Sequence, residues 1–416
     1  MLVGVKPLSY RHHLSEYYEY KLIFSHMLTS AAVDRSGQVV HRFAEIEGVQ
    51  MTQVFHDRWM TPLVRRLGLT NPIFGFCHGR EVVAAISLSG GLGVLGATRN
   101  TPEEIEEHLR WIRTQIGQRP FGVNLVLPGG MPEADDRAQI EAQLPVGHRA
   151  FVQGLYEQFQ VPAPTRAGVR SRFVRSNEMA ARQIEVILAS DVDVVACGIG
   201  APDDVVQALK QRGKKVIALV GSPRHARSAL TKPLDILVAQ GYDAGAHTGT
   251  IGTFSLVPQI VDLAMAAGVP VLAAGGVASG RHIAAALAMG AQGVWMGTAW
   301  LTTEEYRPHL APITLDKLLA AGIEDTVISR ADSGKTLRQI RSAWSEAWAA
   351  PDAPAPLKMP LQDILVGDLL GAIDDHDIGP LMHYPAGQSV GYFNHMETVT
   401  ERIERLLNET VHALEG

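Results

Sequence analysis

VPVLAAGGVASG (269–280) and GVWMGTAW (293–300) are two apolar runs, each ending in a glycine-containing loop. Apolar runs of this length predict buried strands, and glycine, which has no Cβ, predicts loops that an anionic group can approach closely. In (β/α)8 barrels, the loops after the seventh and eighth strands commonly bind a phosphate group. A doubly wound open sheet would place its glycine fingerprint early in the chain. The late position of these glycines therefore favours a (β/α)8 barrel.

Short apolar or β-branched runs alternate with longer helical patterns from about residue 70 onward. This alternation is typical of repeated βα units around a parallel sheet, and eight such units close a barrel. The predicted strands are PIFGF (72–76), LGVLGAT (92–98), FGVNLVL (121–127), VDVVACGIG (192–200), KVIALVG (215–221), DILVAQG (235–241), VPVLAAGG (269–276) and GVWMGTAW (293–300).

Two of the intervening segments show clear helical patterns, TPEEIEEHLRWIRTQIG (101–117) and SNEMAARQIEVILAS (176–190). Thr101 has the residue type of an N-cap, and acidic residues follow it in the first turn, where they favour the helix dipole. Each segment has an apolar stripe that can pack on a sheet.

The chain is longer than one barrel of about 250 residues. We therefore expect an α/β organisation with a barrel over residues 66–310 and extensions on either side. Residues 1–65 are expected to form an arm that could contact a second copy of the chain in a homo-oligomer. Residues 128–173 are too long for a simple βα connection and predict a helical lid insertion. Residues 311–416 predict a C-terminal helical extension.

The composition of this 416-residue chain predicts a soluble enzyme-like protein rather than a nucleic-acid or membrane binder. Hydrophobic residues make up 46%, charged residues 19%, and the net charge of −6 comes without a basic stripe. A small-molecule partner is therefore expected. The two cysteines, Cys77 and Cys197, indicate a reducing compartment. The N-terminus lacks a signal-peptide pattern, and the longest apolar region is interrupted by Asp262 and Pro270, so we expect a cytoplasmic location.

AQGYDAGAHTG (239–249) places His247 on a glycine-rich loop after the sixth predicted strand. A histidine titrates near neutral pH, so His247 could act as a general acid or base, or hold an anionic substrate. The alternative is that His247 only hydrogen-bonds a loop carbonyl. In the last two loops, Gly275, Gly276, Gly297 and Thr298 could form a phosphate cradle with their N–H groups, or the glycines could simply make tight turns.

Taken together, AAGGVASGRHIAAALAMGAQGVWMGTAWL (273–301) and AQGYDAGAHTG (239–249) make the chain resemble the nitronate monooxygenase family, formerly called 2-nitropropane dioxygenases. The chain is also similar to FMN-containing enoyl-thioester reductases. The resemblance covers residues 70–305, with a weaker match at GPLMHYPAGQSVG (379–391). It implies an FMN-dependent (β/α)8 TIM barrel.

The resemblance also implies roles for single residues. His247 matches the histidine that faces the reactive edge of the flavin and is the predicted catalytic residue. The predicted FMN-binding residues are Gly75, Asn124, Gln240, Gly245, Gly275, Gly276, Trp295, Met296, Gly297 and Thr298. No metal is expected, because Cys77 and His78 are neighbours on a strand end with no second ligand cluster.

Three segments depart from the family pattern. GFCHG (75–79) stands where the family has PMAGG-like residues, DAGAH (243–247) replaces EAGGH, and ADSGK (331–335) replaces a TGR-like segment. These changes bear on the substrate more than on the cofactor.

The function expected from the resemblance is FMN-dependent oxidation of alkyl nitronates, or of a similar stabilised carbanion, with O2 as co-substrate. One alternative is an NAD(P)H-dependent quinone or enoyl-thioester reductase. A second alternative is a flavin-binding protein without catalytic activity.

Overall fold

The structure is a computed structural model that describes residues 59–165 and 172–415. The predicted arm lies outside the described residues except for its last seven positions, 59–65. The described helices are α1 Pro62–Arg66, α2 Arg80–Leu88, α3 Pro102–Ile116, α4 Arg137–Ala142, α5 Val146–Gln158, α6 Asn177–Ala189, α7 Asp203–Gln211, α8 Pro223–Ala229, α9 Thr253–Met265, α10 Gly280–Ala288, α11 Pro312–Ala320, α12 Ala343–Ala349, α13 Leu361–Asp375 and α14 Val399–Glu415.

Eight parallel strands form a closed barrel, as predicted. In barrel order they are β1 Ile73–Cys77, β2 Leu92–Gly96, β3 Phe121–Val126, β4 Val194–Gly198, β5 Lys215–Val220, β6 Ile236–Gln240, β8 Val271–Ala274 and β9 Val294–Met296. Phe74 in β1 pairs with Trp295 in β9 and closes the ring. Each predicted strand overlaps one of these, but most observed strands end earlier because the final residues of the predicted runs belong to loops.

Side chains that point alternately to the two faces of each strand divide the core into two layers. Phe74, Val94, Ala196 and Ile236 fill the barrel interior, whereas the residues between them, such as Val195, pack against the surrounding helices. A side-chain period of two sends neighbouring residues to opposite faces of a sheet, and both faces are buried in a barrel. The strands therefore read as continuous apolar runs.

The helix that follows β2 begins where the sequence predicts. The Thr101 hydroxyl accepts a hydrogen bond from the Glu104 N–H, and the Glu104 carboxylate accepts one from the Thr101 N–H at 2.9 Å. This reciprocal capping box satisfies two N–H groups that the helix itself cannot pair.

The insertion and the C-terminal extension are both helical, as predicted, and they share a hydrophobic core. Ile140 in α4 and Leu155 in α5 belong to the same buried cluster as Leu365 and Leu369 in α13. The extension also contains two strands that the sequence analysis did not predict, β10 Thr326–Ser329 and β11 Leu337–Ile340. They form an antiparallel sheet with β7, the two residues Ala246–His247.

Buried Arg402 fixes the last helix, α14, to the barrel. Its guanidinium donates to the Ala299 carbonyl and to the Thr302 hydroxyl in the loop after β9. It also donates to Glu397 at 2.8 Å, which satisfies the buried positive charge.

Within the described part of the chain, no helix has both the length and the apolar character that a membrane span requires.

Replacing Gly280 by alanine should destabilise the protein. A Cβ at Gly280 would lie 2.1 Å from the Thr410 backbone nitrogen, so α14 would have to move away from α10. We expect a loss of about 1–3 kcal/mol, typical of overpacking. Gly154→Ala is the matched control, because a Cβ there meets nothing within 4 Å and alanine favours a helix interior. Urea unfolding of both variants measures the difference, and equal midpoints would contradict the close helix contact.

Glu397 should make the stability of the fold depend on acid pH. Burial pushes the pKa of Glu397 up, but hydrogen bonds from Arg405, Arg402 and His395 outweigh it and hold the pKa at about 2. The ordinary value is 4.5, so the stabilisation is complete above pH 4.5 and disappears as the pH falls towards 2. Glu397→Gln should flatten the pH dependence of the unfolding midpoint over this range. An unchanged pH dependence of the unfolding midpoint in the variant would show that Glu397 does not cause it.

Candidate functional site

A cavity of about 430 Å³ opens at the carboxyl ends of the barrel strands. This size falls within the range of pockets that bind cofactors and small molecules. Residues from β1, β3, β6, β8 and β9 line it, together with residues 335–336 and 384–389 of the extension. None of the described insertion residues lines it, so the lid role of 128–173 stays a prediction. The site lies at the end of the barrel where such enzymes place their chemistry.

Two amides and two aromatic rings form the inner wall of the cavity. Asn124 lies in the interior row of β3, and its Nδ2 donates to the Ala196 carbonyl at 3.0 Å. Gln240 ends the interior row of β6. Phe76 and Trp295 stack with ring centroids 6.0 Å apart. The wall thus combines flat apolar surfaces with amide groups that can both donate and accept hydrogen bonds.

The loops after β8 and β9 form a cradle of backbone N–H groups. Gly275 and Gly276 have φ values of +92° and +74°, a conformation that side chains disfavour. Within the described residues, the N–H groups of Gly276 and Thr298 donate no hydrogen bond. Unpaired N–H groups on converging loops suit an anion with several oxygens. The Thr298 hydroxyl accepts from the Gly387 N–H at 2.9 Å, which joins this cradle to the extension.

The loop 243–247 packs directly against the extension. A Cβ at Gly245 would lie 2.7 Å from the Ala386 carbonyl carbon and the Gly387 nitrogen, so only glycine fits here. Ala246 has a φ of +59°, and it stands where the family pattern has a second glycine. The alanine is therefore held in a strained conformation, which costs of the order of 1–3 kcal/mol.

Pairing with the extension fixes the orientation of His247. In β7, His247 lies opposite Leu337 of β11, and its carbonyl accepts from Gln240 Nε2 at 2.8 Å. Its ring Nδ1 lies 3.1 Å from the Thr336 carbonyl oxygen. A carbonyl only accepts, so Nδ1 carries the proton, and Nε2 of the neutral ring is the unprotonated nitrogen.

The surroundings keep His247 neutral. Burial lowers its pKa below the usual value, the hydrogen bond to Thr336 opposes this, and the positive charge of Arg175 lowers the pKa further. At neutral pH the ring is therefore a base in the cavity wall.

Another part of the cavity wall contains Cys77, His78, Tyr306 and Tyr384. Burial raises the pKa of Cys77 to about 12, so the residue is a neutral thiol and not a nucleophile. His78 Nδ1 donates to the Gly96 carbonyl at 2.7 Å. The hydroxyls of Tyr306 and Tyr384 hydrogen-bond each other, and burial raises the pKa of Tyr306 well above its usual range. The Cys77 thiol and the Tyr306 phenol are therefore uncharged at neutral pH.

The structure brings all but one of the predicted site residues to this cavity. The ten that line it are Asn124, Gln240, Gly245, His247, Gly275, Gly276, Trp295, Met296, Gly297 and Thr298. Gly75 does not line it. A Cβ there would lie 2.3 Å from Ile86 Cδ1 and 2.9 Å from Trp300 Nε1, so Gly75 faces the helices and is explained by packing. Because Gly75 does not line the cavity, the structure gives no support to its predicted contact with FMN.

Two signals in the sequence could have identified the missed residues. ADSGK (331–335) ends in Lys335, and GPLMHYPAGQSVG (379–391) contains Tyr384. Both lie in the extension, far from the barrel in the sequence. Only the packing of the extension onto the barrel brings them to the cavity.

The cavity fits flavin mononucleotide. The glycine cradle suits a phosphate group, and the Asn124 and Gln240 amides suit the hydrogen-bonding edge of a heterocycle. The stacked Phe76 and Trp295 offer an apolar surface of the kind a planar ring system needs.

Comparisons with known proteins agree with this assignment. The family model described as nitronate monooxygenase matches residues 64–409. A Mycobacterium tuberculosis protein provisionally named as a monooxygenase is 40% identical over 86% of this chain and 98% of its own length. Nitroalkane oxidase from Streptomyces ansochromogenes superposes with a TM-score of 0.70 at 27% identity, covering 85% of this chain and 99% of that chain. FabK from Thermotoga maritima superposes with a TM-score of 0.64 at 26% identity, covering 85% and 97%.

The family match spans the barrel, the His247 loop and most of the extension, which are the parts that build the cavity. The chain therefore belongs to the nitronate monooxygenase family, and it is an FMN-dependent oxidoreductase.

Proposed function

We propose that this protein oxidises alkyl nitronates, or similar resonance-stabilised carbanions, with O2 as co-substrate. The observation that carries the proposal is the arrangement of His247, whose Nδ1–H is held by Thr336 so that Nε2 is the basic nitrogen. When bound, FMN supplies the two-electron redox chemistry and the reactivity towards O2.

His247 acts as a general base in this proposal where the nitronate forms in the cavity from a neutral nitroalkane. A carbon beside a nitro group is acidic, and neutral Nε2 can accept the proton that leaves it. The proton then resides on Nε2, and the negative charge is delocalised over the nitro group of the resulting nitronate. Because burial lowers the pKa of His247, the ring is already deprotonated at neutral pH and ready to accept a proton.

The surrounding wall favours an anionic substrate held away from water. Phe76 and Trp295 exclude solvent from one side of the cavity. Among the described residues, Lys335 is the one lysine that lines the cavity. The Tyr306 phenol stays protonated because burial raises its pKa, so it adds no competing negative charge. In a low-dielectric cavity, the attraction between a cation and an anionic substrate is stronger than in water.

The second candidate function is reduction of a quinone or an enoyl thioester by NAD(P)H. The similarity to FabK favours it, since that fold superposes over 85% of this chain. The two functions differ in what reduces the flavin, which makes them experimentally separable.

The first test is an anaerobic absorbance spectrum of the purified protein. We expect a yellow protein whose flavin absorbance is bleached by ethyl nitronate and returns when O2 is admitted. Bleaching by NADH or NADPH but not by the nitronate would support the reductase. A protein that neither contains nor binds FMN would contradict both functions.

His247→Gln should abolish general-base catalysis while keeping FMN bound. We expect kcat/KM for neutral nitroethane to fall by about 10²–10⁴-fold, the usual contribution of a positioned base. In the wild type, kcat/KM should rise with pH with its midpoint below pH 6.5, because burial lowers the pKa of His247 from the ordinary value of 6.5. The variant should lose this step.

His412→Gln on α14 is the matched control, since this exposed histidine hydrogen-bonds the Asn408 carbonyl of its own helix. Wild-type kinetics in His247→Gln, with the same pH profile, would remove His247 from the mechanism.

A further inference from the structure

A second cavity, of about 210 Å³, adjoins the main cavity and shares Lys335 with it. Elements distant in sequence meet there: the loop after β3, the segment before α6, the loop before β11 and the start of α13. The lining residues are Pro128, Gly129, Gly130, Met131, Pro132, Arg175, Gly334, Lys335, Lys358, Met359, Pro360 and Asp363.

Positive charge dominates this second cavity. Among the described residues, its cationic side chains are Arg175, Lys335 and Lys358, and its single carboxylate is Asp363. That carboxylate is already shared, because it lies 2.6 Å from Arg175 and 3.2 Å from Arg99. Among the residues that the structure describes, the ammonium groups of Lys335 and Lys358 have no ion pair. The cavity therefore carries uncompensated positive charge.

Arg175 has an unused donor in the wall. Its side chain is only 10% exposed, and its buried Nε–H has no hydrogen-bond partner within residues 59–165 and 172–415. Buried donors are normally satisfied, so the unpaired Nε–H of this lining residue favours an acceptor supplied by a bound ligand.

The backbone holds Lys335 in place between the two cavities. Gly334 has a φ of +76°, and a Cβ there would lie 2.0 Å from the Leu357 carbonyl oxygen. The same loop is anchored by Asp332, which accepts from Trp344 Nε1 at 2.9 Å and from His383 Nε2 at 3.0 Å. Lys335 thus lies on a fixed loop, so less conformational entropy is lost when a ligand binds.

We propose that the second cavity is a phosphate-binding subsite for a ligand whose reactive end lies in the main cavity beside His247. The position of the reactive end rests on the proposed function, whereas the subsite itself does not.

The geometry favours a phosphate over a carboxylate. The three cations come from separate segments, so they can contact different oxygens of a tetrahedral group. A phosphate monoester or a diphosphate carries about two negative charges at pH 7, which matches the excess positive charge better than a single carboxylate does. Two sources fit this chemistry: a phosphorylated nitronate, or a reduced nicotinamide dinucleotide.

Calorimetric titration of the FMN-loaded protein with inorganic pyrophosphate tests the subsite. Loading with FMN fills the glycine cradle, so pyrophosphate has to bind elsewhere. We expect Lys335→Gln to weaken binding by about 10-fold and Lys358→Gln, whose side chain is exposed, by about 3-fold. The matched control is Arg110→Gln on the outside of α3, which removes a positive charge of an exposed ion pair with Glu106. This control should bind as the wild type does.

Competition experiments distinguish the two sources. Displacement of pyrophosphate by NADPH or NADH would identify a dinucleotide, and displacement by the anion of 3-nitropropyl phosphate would identify a phosphorylated nitronate. Either result supports the subsite if the affinity also falls in Lys335→Gln. No pyrophosphate binding tighter than about 1 mM, or equal affinity in the wild type and both lysine variants, would overturn it.

The subsite and the proposed function fail separately. If the protein binds pyrophosphate as expected but does not oxidise nitronates, only the proposed function is contradicted. If the protein oxidises nitronates but does not bind pyrophosphate, only the subsite is contradicted.

Discussion

The pairing of β7 with β11 is the constraint on which the arrangement of the candidate site depends. Two residues, Ala246 and His247, form this short strand, and their partners Arg338 and Leu337 come from the extension. The Thr336 carbonyl beside this pairing selects the tautomer of the His247 ring. The barrel alone therefore does not define the basic nitrogen. The C-terminal extension therefore helps to build the candidate site.

Small residues allow this extension to approach the barrel. Gly245 leaves room for Ala386 and Gly387, and Gly387 in turn donates to the Thr298 hydroxyl beside the glycine cradle. A single bulky side chain at this contact would separate the extension from both the His247 loop and the cradle. The same contact thus couples the predicted phosphate end of the cavity to its reactive end. The strained backbone of Ala246 is maintained by this surrounding packing.

Electrostatics connect the two cavities. Arg175 lies in the wall of the second cavity, yet its positive charge contributes to the lowered pKa of His247 in the first. Lys335 lines both, and its own pKa is lowered by burial and by the charge of Arg175. An anion bound in the second cavity would offset these charges.

The barrel could be predicted from the sequence, because side-chain alternation, strand length and capping residues such as Thr101 are local properties of the chain. The sequence also placed His247, Asn124, Gln240 and the late glycines at one end of the barrel, since the carboxyl ends of parallel strands meet there. It assigned Gly75 to the cofactor, whereas the structure explains that glycine by contact with Ile86 and Trp300. It left Lys335, Thr336 and Tyr384 unassigned. Only the tertiary structure brought these residues to the cavity, because contacts between segments about 90 residues apart depend on packing and leave no periodic signal in the sequence.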